Sequence, residues 1–167
     1  SGSENVYTTY QGKGGVHVTS FFRKLSFAAY FGSLKIILSN DITHESRIMY
    51  FRDIEQRVKK VTPFIIYDQD PYLVITREGR LVWILDGYTT TDKIPYSQPL
   101  AGLGNYIRNS VKATVDAYDG TLSFYVSDPE DPLIRSYSAI FPRLFRPLAE
   151  MPDDLRDHLR YPQDFFK

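Results

Sequence analysis

The sequence predicts an α+β domain: an antiparallel sheet of about four strands, built from hairpins in a meander, with two N-terminal helices packed on one face and short helices after it. Three observations carry this. Through residues 17–61 apolar side chains recur at spacings of three and four, the period of a helix; from 72 to 126 they alternate or run in short segments bounded by glycine, the pattern of strands. Beyond that, Pro132, Pro142, Pro152 and Pro162 cut the chain into pieces that hold only small helices.

Residues 1–16, ending YQGKGGV, have no periodicity and read as an extended arm; Ser1-Gly2-Ser3 resembles the remnant of a cleaved tag and is left out of fold reasoning. From His17 the period becomes helical, with Phe21, Leu25, Ala28 and Ala29 on one face and Gly32 placed to end the helix. The run LKIILS is ambiguous between a short helix and a buried strand. A second helix is expected from a Thr43 cap to Val61, with Ile48, Phe51, Ile54, Val58 and Val61 inward, Arg52, Gln56, Lys59 and Lys60 outward, and Pro63 as its stop.

Strands are expected at 72–76, 80–88, 111–118 and 121–127. The first two, YLVIT and RLVWIL, flank Arg77-Glu78-Gly79, a hairpin connection, and Leu81 to Leu85 is apolar at every position, which implies cover on both faces. Residues 86–105 read as a long loop rich in Tyr, Thr, Pro and Gly. For the last pair, a two-residue turn at Asp119-Gly120 sets Ala117 against Leu122, Val115 against Phe124 and Ala113 against Val126 on one face, with Thr114, Asp116 and Tyr118 on the other. Asp131-Pro132 then opens a helix to about Phe141, and Pro152-Asp153-Asp154 opens another, with Leu155 and Leu159 as its apolar content. The organisation expected is one soluble domain: an arm over 1–16, a helix-plus-sheet core over 17–141, and short helices and tail over 142–167.

Composition narrows the function classes. Twenty Lys and Arg balance twenty Asp and Glu, so no net field draws in a nucleic acid. The +4 on residues 1–60 against −4 on 61–167 is polarity too mild to make a patch. With no cysteine there are no disulfides, thiolate nucleophiles or cysteine zinc sites. No segment holds the ~18 uninterrupted apolar residues of a membrane span; Arg23, Lys24 and Lys35 interrupt the nearest, Ser20 to Leu38.

The motifs lead to no cofactor and no metal. His44-Glu45 lacks the second histidine of a zinc-protease helix, because Ile48 stands there; GKGG, Gly12 to Gly15, lacks a phosphate loop's lysine-serine ending and preceding strand. Gly32-Ser33 lacks the glycine spacing of a nucleophile elbow. The acidic runs YDQDP, Tyr67 to Pro71, and SDPEDP, Ser127 to Pro132, have the oxygens calcium wants, but Asp-Pro pairs equally make turns and helix starts. Phe21, Phe22, Phe27, Tyr30 and Phe31 surround the first helix more widely than one buried stripe needs; it is buried on two sides or docks a partner.

The stretches WILDGYTTTDKIPYS, NYIRNSVKATVDAYDGTLSFYV and MPDDLRDHLRYPQDFF, with GKGGV, SFFRKLSFA and SRIMYFRDIEQRVKKVTPF, closely resemble the UPF0182 family of uncharacterised bacterial integral membrane proteins, over nearly the whole chain. The resemblance implies a block of N-terminal transmembrane helices, not contained in this sequence, that provides the membrane association, followed by a large extracytoplasmic region to which this chain corresponds. It brings no catalytic residues. The expected function is a non-enzymatic extracytoplasmic interaction or ligand-binding module of a multi-pass protein of the bacterial cell membrane. Its partners would be its own transmembrane block and other membrane or envelope proteins, not nucleic acid. The candidate partner surface is Tyr88, Asp92, Tyr96, Tyr106 and Arg108, since rigid aromatics and arginine anchor interfaces. The alternative is a cell-envelope hydrolase or transferase using Asp86, Asp92 or Asp116 as acid and base, which needs two carboxylates meeting in a pocket. A ligand seated on an open sheet face would need a cavity of ~300 Å³ or more.

Overall fold

A computed structural model describes residues 10–98 and 104–161. The expected arm up to residue 9, the middle of the long loop and the tail after Tyr161 lie outside the described residues. The chain divides into two units, Ser1–Tyr50 and Phe51–Lys167.

In the first unit, β1 (Val16–His17) pairs antiparallel with β2 (Arg47–Ile48). Between them, α1 (Phe21–Phe31) starts not at His17, which β1 takes, but where the Ser20 hydroxyl accepts from the Arg23 amide, and it stops at Gly32, whose φ of 62° is left-handed. The ambiguous LKIILS run contributes one helical turn, α2 (Lys35–Leu38). The expected second helix starts later than its periodicity suggests. Thr43 and Ser46 close a turn, Arg47–Ile48 is taken by β1, and Phe51 has a φ of 52° that no right-handed helix accommodates.

The second unit opens with α3 (Ile54–Val61), capped by Asp53, whose carboxylate accepts from the Gln56 amide at 2.9 Å. The sheet has six strands, not about four: β3 (Ile66–Tyr67), β4 (Tyr72–Ile75), β5 (Leu81–Thr91), β6 (Tyr106–Asp116), β7 (Leu122–Val126) and β8 (Phe145–Pro147). β3 and β4 both pair with β5, at its far and near ends; then follow β6, β7 and β8, the last parallel to β7. The two strands missing from the expectation are two and three residues long, too short for any period to show.

β5 and β6 each run eleven residues; β5 extends to Thr91, into what read as loop, and β6 starts at Tyr106, ahead of the expected start at 111. Thr89, Thr90 and Thr91 pair with Arg108, Ile107 and Tyr106, past an irregularity in register between Gly87 and Thr89. Threonine and tyrosine suit a paired strand as well as a loop, and only the partner strand decides.

The β6–β7 hairpin corrects the expected register. Val115 faces Leu122, Ala113 faces Phe124 and Val111 faces Val126, two residues from the predicted pairing, so the turn holds four residues, not two. Two-residue hairpins of that kind need positive φ at both central positions, and only Gly120 has it, at 70°. Instead the Asp116 carboxylate accepts from the amides of Tyr118 and Asp119 at 2.9 and 3.0 Å and rounds the wider turn. Because the slip is even, every side chain keeps its face.

Both sheet faces are covered. On one, Leu85, Val111, Ala113, Val115 and Phe124 pack with Val58 of α3 and with Ile134 of α4 (Pro132–Ile140), which Asp131 caps. On the other, Val74, Val82, Ile84 and Tyr125 lie under Met151 and Leu155. A 3-10 turn (Leu148–Glu150) and α5 (Asp153–Arg156) carry this cover, so the C-terminal segment rests on the sheet of its own chain.

Candidate functional site

The sequence candidates fall in three places. Tyr88 is 4% exposed, at the register irregularity, and its hydroxyl donates to Asp68 at 2.8 Å. It belongs to the interior and is withdrawn from any partner surface. Asp92 and Tyr96 lie at the β5–β6 connection, where Asp92 is exposed and Tyr96 stands fully in solvent with a φ of 66°. Asn105 braces that loop: its Oδ1 accepts from the Ile94 amide at 3.2 Å, and its Nδ2 donates to the carbonyls of Ile94 and Ser97.

Tyr106 and Arg108 are the two candidates in mutual contact. The guanidinium of Arg108 sits 5.9 Å from the Tyr106 ring centre and pairs with Asp128 at 2.8 Å. The Tyr106 hydroxyl donates to Asp131 at 2.7 Å. Burial, then that bond and charge, push the phenol up to about 12. Asp131 is fully buried and accepts also from Thr89, from Ser110 and from the Leu133 amide. Burial alone would raise its pKa, but the bonds from Ser110, Thr89, Tyr106 and Leu133 outweigh it and hold the carboxyl below its ordinary value. The sequence reading saw only the helix cap.

The acid/base candidates do not converge. Asp86 faces Lys112 directly across β5 and β6 and forms a buried ion pair with it; Lys112 also donates to Asn109 at 2.7 Å. Asp116 lies at the hairpin end, paired with Arg80 and occupied in the turn. In the acidic run near Tyr67, Asp68 accepts from the Asp70 amide and from Tyr88; in the run near Ser127, Asp128 accepts from the Glu130 amide and from Arg108. Among the described residues no group of three or more His, Asp or Glu side chains could hold a metal ion. Sequence reasoning missed the Asp86–Lys112 pair, because Lys112 falls on the polar side of the alternation with Thr114 and Asp116 and nothing local shows that this face is covered.

Among the described residues, each unit presents an unfilled apolar surface. Of the eleven residues of α1 only Ala28 is buried, while Phe21, Phe22, Tyr30 and Phe31 are 62, 78, 66 and 45% exposed, and Leu34 and Leu38 at α2 are 71 and 76% exposed. In the second unit, a groove of about 610 Å³ runs between α4 and β8. Ile134, Phe145 and Leu148 give it an apolar lining, and Arg135 and Arg146 are its charged residues.

The profile of the Uncharacterised protein family (UPF0182) matches residues 1–167. The chain belongs to the UPF0182 family. Among UPF0182 relatives, UPF0182 protein GSU2333 of Geobacter sulfurreducens is 58% identical over 163 residues, covering 98% of this chain. The UPF0182 protein of Pelotomaculum thermopropionicum is 54% identical over 166 residues and that of Desulforamulus reducens 51% over 166, each covering 99% of this chain. The chain spans 18% of the length of each of these UPF0182 proteins. No solved structure matches it. Among its described residues no helix is long and apolar enough to cross a membrane.

Proposed function

We propose that this region is a non-enzymatic extracytoplasmic interaction module of a multi-pass bacterial membrane protein, and that its partner is the transmembrane block of its own polypeptide. The observation that carries this is the apolar surface of α1 and α2. An eleven-residue helix with one buried residue and four aromatics between 45 and 78% exposed presents a large apolar surface, and apolar surface of that kind marks a contact site. With relatives several times longer than the chain, most of the polypeptide remains to supply the cover. The enzyme reading finds no support in the geometry, since Asp86 is neutralised by Lys112 in the middle of the strand pair and Asp116 is engaged by Arg80 at its hairpin end.

A photoreactive amino acid at position 22 or 38 of the full-length protein, activated in native membranes, tests this. Adducts are expected on the polypeptide's own membrane-spanning segments. Adducts only within residues 51–161, or a large loss of melting temperature in the 167-residue chain on Phe22→Ser or Leu38→Ser, would overturn it.

A further inference from the structure

We propose that the groove between α4 and β8 binds a single-chain anionic amphiphile, one molecule at a time, with its tail on the apolar floor and its carboxylate or phosphate head between Arg135 and Arg146.

The size comes first. A groove of about 610 Å³ is in the range that holds a small molecule, and it is concave, as a site for one chain must be. Its floor is fixed: Ile134 and Phe145 belong to the same buried cluster as Leu85, Val111 and Phe124, so the apolar lining is preformed. Preformed apolar surface favours a tail that needs no hydrogen-bond partner.

The charge supplies the head. Arg135 and Arg146 are exposed and their guanidinium groups make no ion pair or hydrogen bond among the described residues, and the groove lining includes no acidic side chain. Elsewhere in the unit Arg80 pairs with Asp116, Arg108 with Asp128 and Arg156 with Asp153. Two guanidinium groups beside an apolar trough match a carboxylate or phosphate, for which arginine offers paired donors. The Ser138 hydroxyl also lines the groove without a partner among the described residues.

Other occupants fit less well. A peptide adding itself as a strand needs a run of free backbone donors, whereas β8 is three residues long and ends in Pro147, which has no N–H. A bilayer surface engages protruding apolar side chains and clusters of basic residues, not a trough with two.

The 167-residue chain, isotopically labelled, is titrated with dodecyl phosphate below its micelle concentration, with dodecyltrimethylammonium and dodecanol as matched tails, with vesicles containing phosphatidylglycerol, and with an acidic aromatic peptide. Saturable binding of dodecyl phosphate is expected, with amide shifts centred on Ile134, Ser138 and Leu148. The cationic and uncharged analogues should bind at least about tenfold more weakly. The double variant Arg135→Gln, Arg146→Gln should lose at least about tenfold in affinity at an unchanged melting temperature; if it unfolds, the single variants give the same readout. Equal binding of the cationic analogue, undiminished affinity in the arginine variants, shifts centred elsewhere, or binding confined to vesicles or to the peptide would each overturn the proposal.

Discussion

Lys112 donates to the carboxylate of Asp86 across paired strands, with only 7 and 6% of the two side chains in contact with solvent. Two charges removed from water hold together only because each compensates the other. Lys112→Met should therefore destabilise the chain by about 3–5 kcal/mol, because it strands a buried carboxylate, and Asp86→Leu should do the same to the ammonium. The double variant should recover most of that loss. Urea unfolding of the four proteins measures the coupling, and an unrescued double variant would mean the pair does more than neutralise itself.

Asp131 predicts an acid limb. Its folded pKa is depressed, so the stability it contributes is present above the unfolded value near 4 and is lost as pH falls through the folded value. Asp131→Asn should be less stable at pH 7 by about 1–3 kcal/mol, since it leaves buried hydroxyl donors poorly satisfied. Its stability should also fall less steeply than wild type below about pH 4. Denaturant unfolding across about pH 2.5–7, which brackets the ordinary carboxylate range, reads both effects.

Tyr88 and Tyr96 should separate cleanly. Tyr88 is 4% exposed and bonded to Asp68, so Tyr88→Ala should cost about 3–5 kcal/mol. Tyr96 stands in solvent, and Tyr96→Ala should change stability by less than about 0.5 kcal/mol. Thermal melting of the two variants checks the contrast, and equal losses would place both rings in the interior.

Gly120→Ala probes the four-residue turn. Glycine there has a φ of 70°, and an added Cβ would meet the Arg57 guanidinium at 2.8 Å, the group whose Nε donates to the Gly120 carbonyl. The strain of a left-handed alanine should cost about 1–2 kcal/mol. Asp119→Asn, one residue earlier with ordinary φ, should cost clearly less, and denaturant midpoints compare them.

Much of the fold was legible because its signals are local. Gly32 ends α1, Asp131-Pro132 starts α4, and Leu81–Leu85, apolar at each position, lies in a strand covered on both faces as read. The start of α3 was not legible: residues 43–53 carry a helical period, but Arg47 and Ile48 find a strand partner in Val16 and His17, thirty residues away. The candidate surface was legible only in part. Tyr88 and Tyr96 look alike in sequence, and pairing with β3 puts the first inside while Asn105 holds the second out.

By itself the sequence determined the alternation of faces, the Gly32 and Asp131 caps and the membership of the UPF0182 family, since each depends on residue type at fixed spacing. Only the tertiary structure decided which polar groups are interior. Asp68, Asp86, Lys112 and Asp131 are unremarkable in a linear reading, and each is buried because a residue 20 to 42 positions away supplies its opposite charge or its donor. Burial of a charge depends on that partner being present, and no local pattern can announce it.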